Sequence, residues 1–261
     1  MPLAEINGEQ LYYEDSGGDG PAILFSHGAF MDHSMWAPQV GALSPTYRCV
    51  TWDERGCGMS TASKSFTYWD SAADAIGLLN ELEITHAVLV GMSQGGWLTQ
   101  RAALSAPDRV RGLILQGTSV KLLSEEETTG YTQLSTAWMA MGPVGEIADA
   151  VAGIQFSATG YDASGYVAKW QGRPPGDWKE VWNAILGGRD EIEGRLGEIS
   201  CPVQFVHGTA DMAFPVSVAH EMSALVPSSR GVVEIEGGPH ALSLTHPDQL
   251  TSAIRGFLQS L

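Results

Sequence analysis

Short apolar runs recur along this chain, separated by segments whose apolar residues fall at helical spacing. Residues 22–25, 48–52, 87–90, 110–115, 202–206 and 232–235 read as strands. Several are apolar without interruption, as expected of strands buried on both faces of a sheet. Between them, residues 35–43, 69–82, 94–106 and 216–225 read as helices, and a last helix covers roughly 247–261. Within 69–82, Ala72, Ala75, Ile76, Leu79 and Leu82 mark one helical face. Strands alternating with helices predict a mostly parallel sheet covered on both sides. Ahead of it, residues 4–6 and 10–13 flank Asn7-Gly8, a strong hairpin signal.

The alternation stops between Thr118 and about Ser200. This stretch predicts helices at 132–141, 146–156 and 178–186 and no strand, with turns such as Gly172-Arg173-Pro174-Pro175-Gly176. It reads as a helical cap, residues 118–200, inserted after the sixth strand of an α/β core formed by 1–117 and 201–261. Trp138, Trp170, Trp178 and Trp182 fall in it. Most of these should pack the cap onto the body, with one or two facing a pocket, since pockets are lined mainly by apolar and aromatic groups.

One strand ends in a stretch that changes the picture. Val88-Leu89-Val90 runs into Gly91-Met92-Ser93-Gln94-Gly95-Gly96-Trp97, and a helix begins at once. Glycine on both sides of Ser93 suits a sharp strand-to-helix turn that crowds backbone against backbone. Such a turn presents a strained, exposed serine hydroxyl. The free N–H groups of Gln94 and Gly95 at the start of the helix would point beside it and suit an oxyanion. No Gly-Lys-Ser/Thr follows, so a phosphate-binding P-loop is excluded.

Composition narrows the partners. The formal net charge of −16 opposes non-specific binding to nucleic acid or anionic lipid. The N-terminus lacks a basic segment followed by an apolar one, and no run is long enough to span a membrane. Cys49, Cys57 and Cys201 have no metal-ligand spacing and read as reduced thiols of a cytoplasmic protein. The expectation is a small-molecule substrate, no nucleic acid, no membrane and no metal or organic cofactor; homo-oligomer formation stays open.

A serine hydroxyl needs a general base, and the base needs a carboxylate to fix its tautomer. Ser93, Asp211 and His240 each follow a predicted strand. In a parallel sheet those strand ends share one edge, so the three loops can converge. Their order along the chain, Ser–Asp–His, is the one expected for this kind of sheet. Together with His27-Gly28, Asp53-Glu54-Arg55-Gly56-Cys57-Gly58-Met59-Ser60, Gly208-Thr209-Ala210-Asp211 and Gly237-Gly238-Pro239-His240, these motifs resemble the α/β-hydrolase superfamily over nearly the whole chain. Within it, the chain is similar to the capped small-molecule esterases, enol-lactonases, cofactor-free haloperoxidases and carbon–carbon bond hydrolases. The resemblance implies the α/β-hydrolase fold, Ser93 as nucleophile, His240 as base and Asp211 as its orienting acid. It also implies an oxyanion hole from the N–H groups of Ala29 and Gln94.

Each role has rivals. The resemblance makes His27 a structural histidine and puts Asp53 in a structural Asp-x-Arg-Gly turn. His207 precedes the acid loop, and His246 opens the last helix and is the nearest rival to His240. His33, His86 and His220 sit in surface-like or helical contexts, and Asp190, Glu191 and Glu193 read as a solvated face. A serine at the elbow, where related dehalogenases and epoxide hydrolases carry aspartate, suits attack on a carbonyl. The expected chemistry is acyl transfer through an acyl-enzyme. The expected substrate is a small neutral or aromatic ester or lactone, with Phe30, Trp138, Met139 and Trp182 as candidates for the pocket wall. Perhydrolysis would use the same triad. A carbon–carbon hydrolase of dienoate acids would need a cation such as Arg173 or Arg189, although cap arginines usually face solvent. A receptor that retains the triad is the alternative from another class.

Overall fold

The computed structural model describes residues 2–156 and 160–261; Met1 and residues 157–159, the latter within the expected cap, lie outside the described residues. The Asn7-Gly8 turn forms the hairpin its sequence predicts. Both residues have positive φ, 52° and 83°, and join β1 (Leu3–Ile6) to β2 (Glu9–Asp15) as antiparallel neighbours. Five further strands follow the predicted runs closely: β3 (Ala22–Ser26), β4 (Arg48–Trp52), β5 (Ala87–Met92), β6 (Val110–Gln116) and β7 (Val203–Gly208). β8 (Ser229–Ile235) starts earlier than expected. The eight strands form one sheet in the order β1-β2-β4-β3-β5-β6-β7-β8, parallel from β4 through β8.

Alternation along the central strands divides the core. Leu24 and Leu89 face one side; Ile23, Phe25, Val88 and Val90 face the other. The first side is covered by α2 (Tyr68–Glu81), α3 (Gln94–Ser105) and α8 (Val216–Leu225), through Leu78, Leu98 and Val218. The second is covered by α1 (Ala37–Leu43) and α9 (Pro247–Gln259), through Leu43, Ile254 and Phe257. Leu24 and Leu89 are fully buried, and truncating either to Ala would cost about 2–5 kcal/mol. Because the strands are parallel, β3, β5, β6, β7 and β8 all end at one edge, and the connections leaving that edge carry the site.

Between β6 and β7 the described residues form helices and no strand: α4 (Glu125–Met141), α5 (Glu146–Phe156), α6 (Ser164–Gln171) and α7 (Lys179–Gly187), with short 3₁₀ turns. This is the helical cap after the sixth strand. α4 begins well before the predicted residue 132, because Ser124 and Glu127 form a reciprocal capping box that starts it. α6 was not expected at all. Trp138, Trp170, Trp178 and Trp182 gather around Phe30 of the core, with ring centroids 4.8–6.1 Å apart. The Trp170 Nε1–H donates to the Phe30 carbonyl at 2.6 Å. Aromatic packing of this kind fastens the cap to the sheet edge.

Candidate active site

Ser93 sits between β5 and α3 with φ 53° and ψ −114°, a conformation that non-glycine residues rarely adopt. Its amide donates to the Gln116 carbonyl at 2.9 Å, and the Thr118 hydroxyl donates to its carbonyl at 2.7 Å, so both flanks are held by β6 and its exit. A Cβ at Gly91 would strike the Gly95 carbonyl, and one at Gly95 would strike that of Ser26. The turn is that tight, which is why glycine flanks the serine. As the first residue of α3, Gln94 carries an amide with no intrahelical acceptor.

Asp211 and His240 meet beside this turn. His240 Nδ1 donates to Asp211 Oδ2 at 2.8 Å, which assigns the tautomer and leaves Nε2 as an acceptor. The other carboxylate oxygen, Oδ1, accepts the amides of Ala213 at 2.8 Å and Phe214 at 3.1 Å. Burial pushes the Asp211 carboxyl up, but the nearby His240 and His207 rings and these hydrogen bonds outweigh it and hold the group below the usual carboxylate range. Gly117 (φ 51°) lies against the pair; a Cβ there would come within 3.1 Å of Asp211 Oδ2 and 3.2 Å of His240 Nδ1. Gln116 Nε2 donates to the His240 carbonyl at 2.6 Å and fixes the loop behind the ring.

Ser93 and His240 line one cleft beneath the cap, about 600 Å³ when its open mouth is included. The Ser93 hydroxyl and His240 make no hydrogen bond among those of the described residues; such bonds are often long or poorly aligned before substrate binds. Ala29, Phe30 and Trp97 line the same cleft from the core, and Tyr131, Leu134, Gln155 and Arg189 from the cap.

The expected wall is therefore only partly right. Phe30 lines the cleft, but Trp138 and Trp182 are fully buried in the aromatic cluster behind it, and Met139 packs against that cluster. Two cap residues take their place that sequence reasoning passed over or set facing solvent. Gln155 is buried, donates through Nε2 to the Ala29 carbonyl at 3.1 Å and accepts the Ala241 amide on its backbone at 2.8 Å. It thus ties the cap to both the Ala29 strand exit and the His240 loop. Arg189 stacks 3.9 Å from the Trp97 ring centroid. Neither has a local pattern that distinguishes it; only the tertiary position does.

The rivals are accounted for by their partners. His27 Nε2 accepts the Glu54 amide at 2.9 Å and its Nδ1 meets the Gly28 carbonyl at 2.8 Å, so both ring nitrogens are occupied and burial lowers its pKa. His207 is buried, its Nε2 2.9 Å from the Phe214 carbonyl. His246 bonds the neighbouring Thr245 hydroxyl at 3.0 Å, and His220 pairs with exposed Glu234 at 2.8 Å. His86, Glu191 and Glu193 are exposed. Asp190 is exposed too, yet it does more than face solvent: its carboxylate accepts Arg101 at 2.8 Å and the Trp69 indole at 2.9 Å. Asp53 pairs with His33. Among the described residues no group of three or more His, Cys, Asp or Glu side chains is placed to hold a metal ion, and no helix is long and apolar enough to cross a membrane.

Comparison with known proteins agrees with this fold. A family model described as the alpha/beta hydrolase fold matches residues 21–142. The solved enol-lactonase from Burkholderia xenovorans LB400 is 27% identical, covers 99% of this chain and 100% of its own, and superposes with a TM-score of 0.89. The chain has the α/β-hydrolase fold. Similar proteins include a putative non-heme chloroperoxidase of Synechocystis sp., 28% identical over 99% of this chain and 100% of the relative. Another is the pimeloyl-[acyl-carrier protein] methyl ester esterase of Aliivibrio salmonicida, 28% identical over 95% of this chain and 96% of the relative.

Proposed function

We propose that this α/β hydrolase is a serine hydrolase that cleaves small carboxylic esters or lactones through an acyl-enzyme. The observation that carries the reading is the Asp211–His240 hydrogen bond beside the strained Ser93 turn, in one cleft. Ser93 Oγ attacks the carbonyl carbon while His240 Nε2 takes its proton, and Asp211 stabilises the imidazolium. The amides of Gln94 and Ala29 receive the oxyanion; such donors are typically worth about 2.7–4 kcal/mol each. His240 then protonates the leaving oxygen, and water repeats the sequence to release the acid. Relatives named as an enol-lactonase and a methyl ester esterase support an ester-type carbonyl as the reacting group. The three buried free cysteines accord with a cytoplasmic setting.

The test is steady-state hydrolysis of a chain-length series of p-nitrophenyl esters by wild type and Ser93→Ala. Many turnovers by wild type, abolished in the variant, are expected. Absence of turnover by folded wild-type protein would remove the esterase reading and bring carbon–carbon cleavage or a receptor role forward.

A further inference from the structure

Arg189 is a cation in the cleft wall that the proposed chemistry does not use. The fully buried arginines of this chain have carboxylate partners. Arg55 is paired with Asp74, its Nη2 2.8 Å from Oδ1, and Arg101 with Asp190 at 2.8 Å. Half-buried Arg189 is different, as is Arg173, whose Nη1 also meets no acceptor among the described residues, but only Arg189 of the two lines the Ser93 cleft. Its Nη1 donates to the Lys121 carbonyl at 3.1 Å and its plane stacks on Trp97. Its Nη2 is shielded from solvent and meets no acceptor among the described residues. A guanidinium cannot shed its charge, so a shielded, unpaired N–H edge is costly.

The neighbouring acids do not supply the partner. Asp190, the next residue, is directed to Arg101 and Trp69. Glu127 lines the cleft, but its exposed carboxylate accepts the Ser124 amide at 2.7 Å in the α4 cap. The ring beneath Arg189 is that of Trp97, one turn along α3 from Ser93, about 5–6 Å along the helix axis. A cation therefore lines the same cleft as the nucleophile.

We infer that Arg189 forms an anion subsite and that the substrate carries a free carboxylate, as a short half-ester or a carboxyalkyl lactone, rather than being neutral. The inference rests on the serine-hydrolase reading for the reacting end and on Arg189 alone for the anionic end. The substrate carboxylate accepts from Nη2 and replaces the missing partner. The scissile carbonyl meanwhile lies at Ser93. The neutral substrate expected from the sparse basic groups of the cap is thereby revised, because one desolvated arginine in the cleft outweighs many acids on the surface.

The experiment compares monomethyl succinate, glutarate and adipate with the matching methyl alkanoates, in wild type, Arg189→Met and Arg189→Lys, following acid release by pH-stat. Wild type should favour the best half-ester over its neutral match by about 30-fold or more in kcat/KM, the range of a charge-assisted hydrogen bond. Arg189→Met should bring the ratio of the two kcat/KM values close to one, whatever its effect on the absolute rates, and Arg189→Lys should keep part of the preference. Equal rates on both ester classes in wild type, or a uniform loss on both in Arg189→Met, would overturn the subsite and leave the hydrolase reading intact. A direct readout separates the two claims: glutarate should bind Ser93→Ala by calorimetry and fail to bind Ser93→Ala/Arg189→Met. Binding without ester turnover in wild type would keep the subsite and sink the hydrolase reading; no Arg189-dependent binding would sink the subsite. Should Arg189→Met fail to fold, inhibition of wild-type neutral-ester hydrolysis by glutarate, with sodium chloride at equal ionic strength as control, decides: competitive inhibition supports the subsite, none overturns it.

Discussion

Asp53–His33 and Asp211–His240 lie at strand ends of the same sheet and are indistinguishable by distance, each with Nδ1 2.8 Å from a carboxylate oxygen. Their surroundings separate them. The Asp53 carboxylate also accepts the amides of His33 at 2.8 Å and Met59 at 2.9 Å, so it stitches two loops together. The far nitrogen of His33 lies 3.6 Å from Glu14, and its ring packs 4.7 Å from that of Tyr12. No hydroxyl nucleophile of the cleft is offered to it. His240, by contrast, turns its free nitrogen to a cleft that it lines with Ser93. A histidine–carboxylate pair is thus a neutral motif; what the second ring nitrogen faces decides between a staple and a proposed relay.

The comparison can be broken first at its largest effect. His240→Gln should lower kcat for ester hydrolysis by at least about 10⁵-fold, as for removal of a triad base. Asp211→Asn should lower kcat by about 10⁴-fold with the melting temperature little changed, because the amide favours the wrong tautomer. Asp53→Asn should reverse the pattern. Its kcat/KM should stay within a few-fold of wild type, while stability falls by about 1–3 kcal/mol from lost buried hydrogen bonds, read by chemical denaturation. If Asp53→Asn lost activity as steeply as Asp211→Asn at equal folding, the distinction would fail.

The smallest effect concerns pH. Burial pushes His33 down, but the hydrogen bond and charge of Asp53, with Asp32 and Glu14, outweigh it and raise its pKa above the usual 6.5. A folded-state pKa above the unfolded value means the charged pair contributes stability below the unfolded pKa. That contribution is lost as pH rises through the raised folded value. His33→Gln should therefore be most destabilising, by under about 1 kcal/mol for a group partly screened by solvent, at pH 5–6 and less so at pH 8–9. Denaturation midpoints of both proteins across that range provide the check.

These particulars also show what local sequence can carry. The sheet was legible because uninterrupted apolar runs such as Val88–Val90 have few other homes, and the turn at Ser93 because glycines flank it in a strand–helix setting. The start of α4 was legible only through Ser124 and Glu127, a capping box hidden behind Thr128, Thr129 and Gly130, which are poor helix formers. The wall of the cleft was not legible. Whether Trp138 or Leu134, four residues apart on α4, faces substrate depends on how the cap docks, and periodicity places both on similar faces. Arg189 was hidden for the same reason: composition sees a sparse cation, while its effect comes from the burial of one nitrogen beside Trp97.

The central claim is that Ser93 is activated through the Asp211–His240 pair and not through its twin. The most direct measurement is the rate of phosphonylation by a small fluorophosphonate, followed by intact mass and peptide mapping, in wild type, Asp211→Asn and Asp53→Asn. The account predicts a single adduct on Ser93, formed at similar rates in wild type and Asp53→Asn and slower by about 10³-fold or more in Asp211→Asn. An adduct on another residue, or labelling of Asp211→Asn at the wild-type rate, would contradict it.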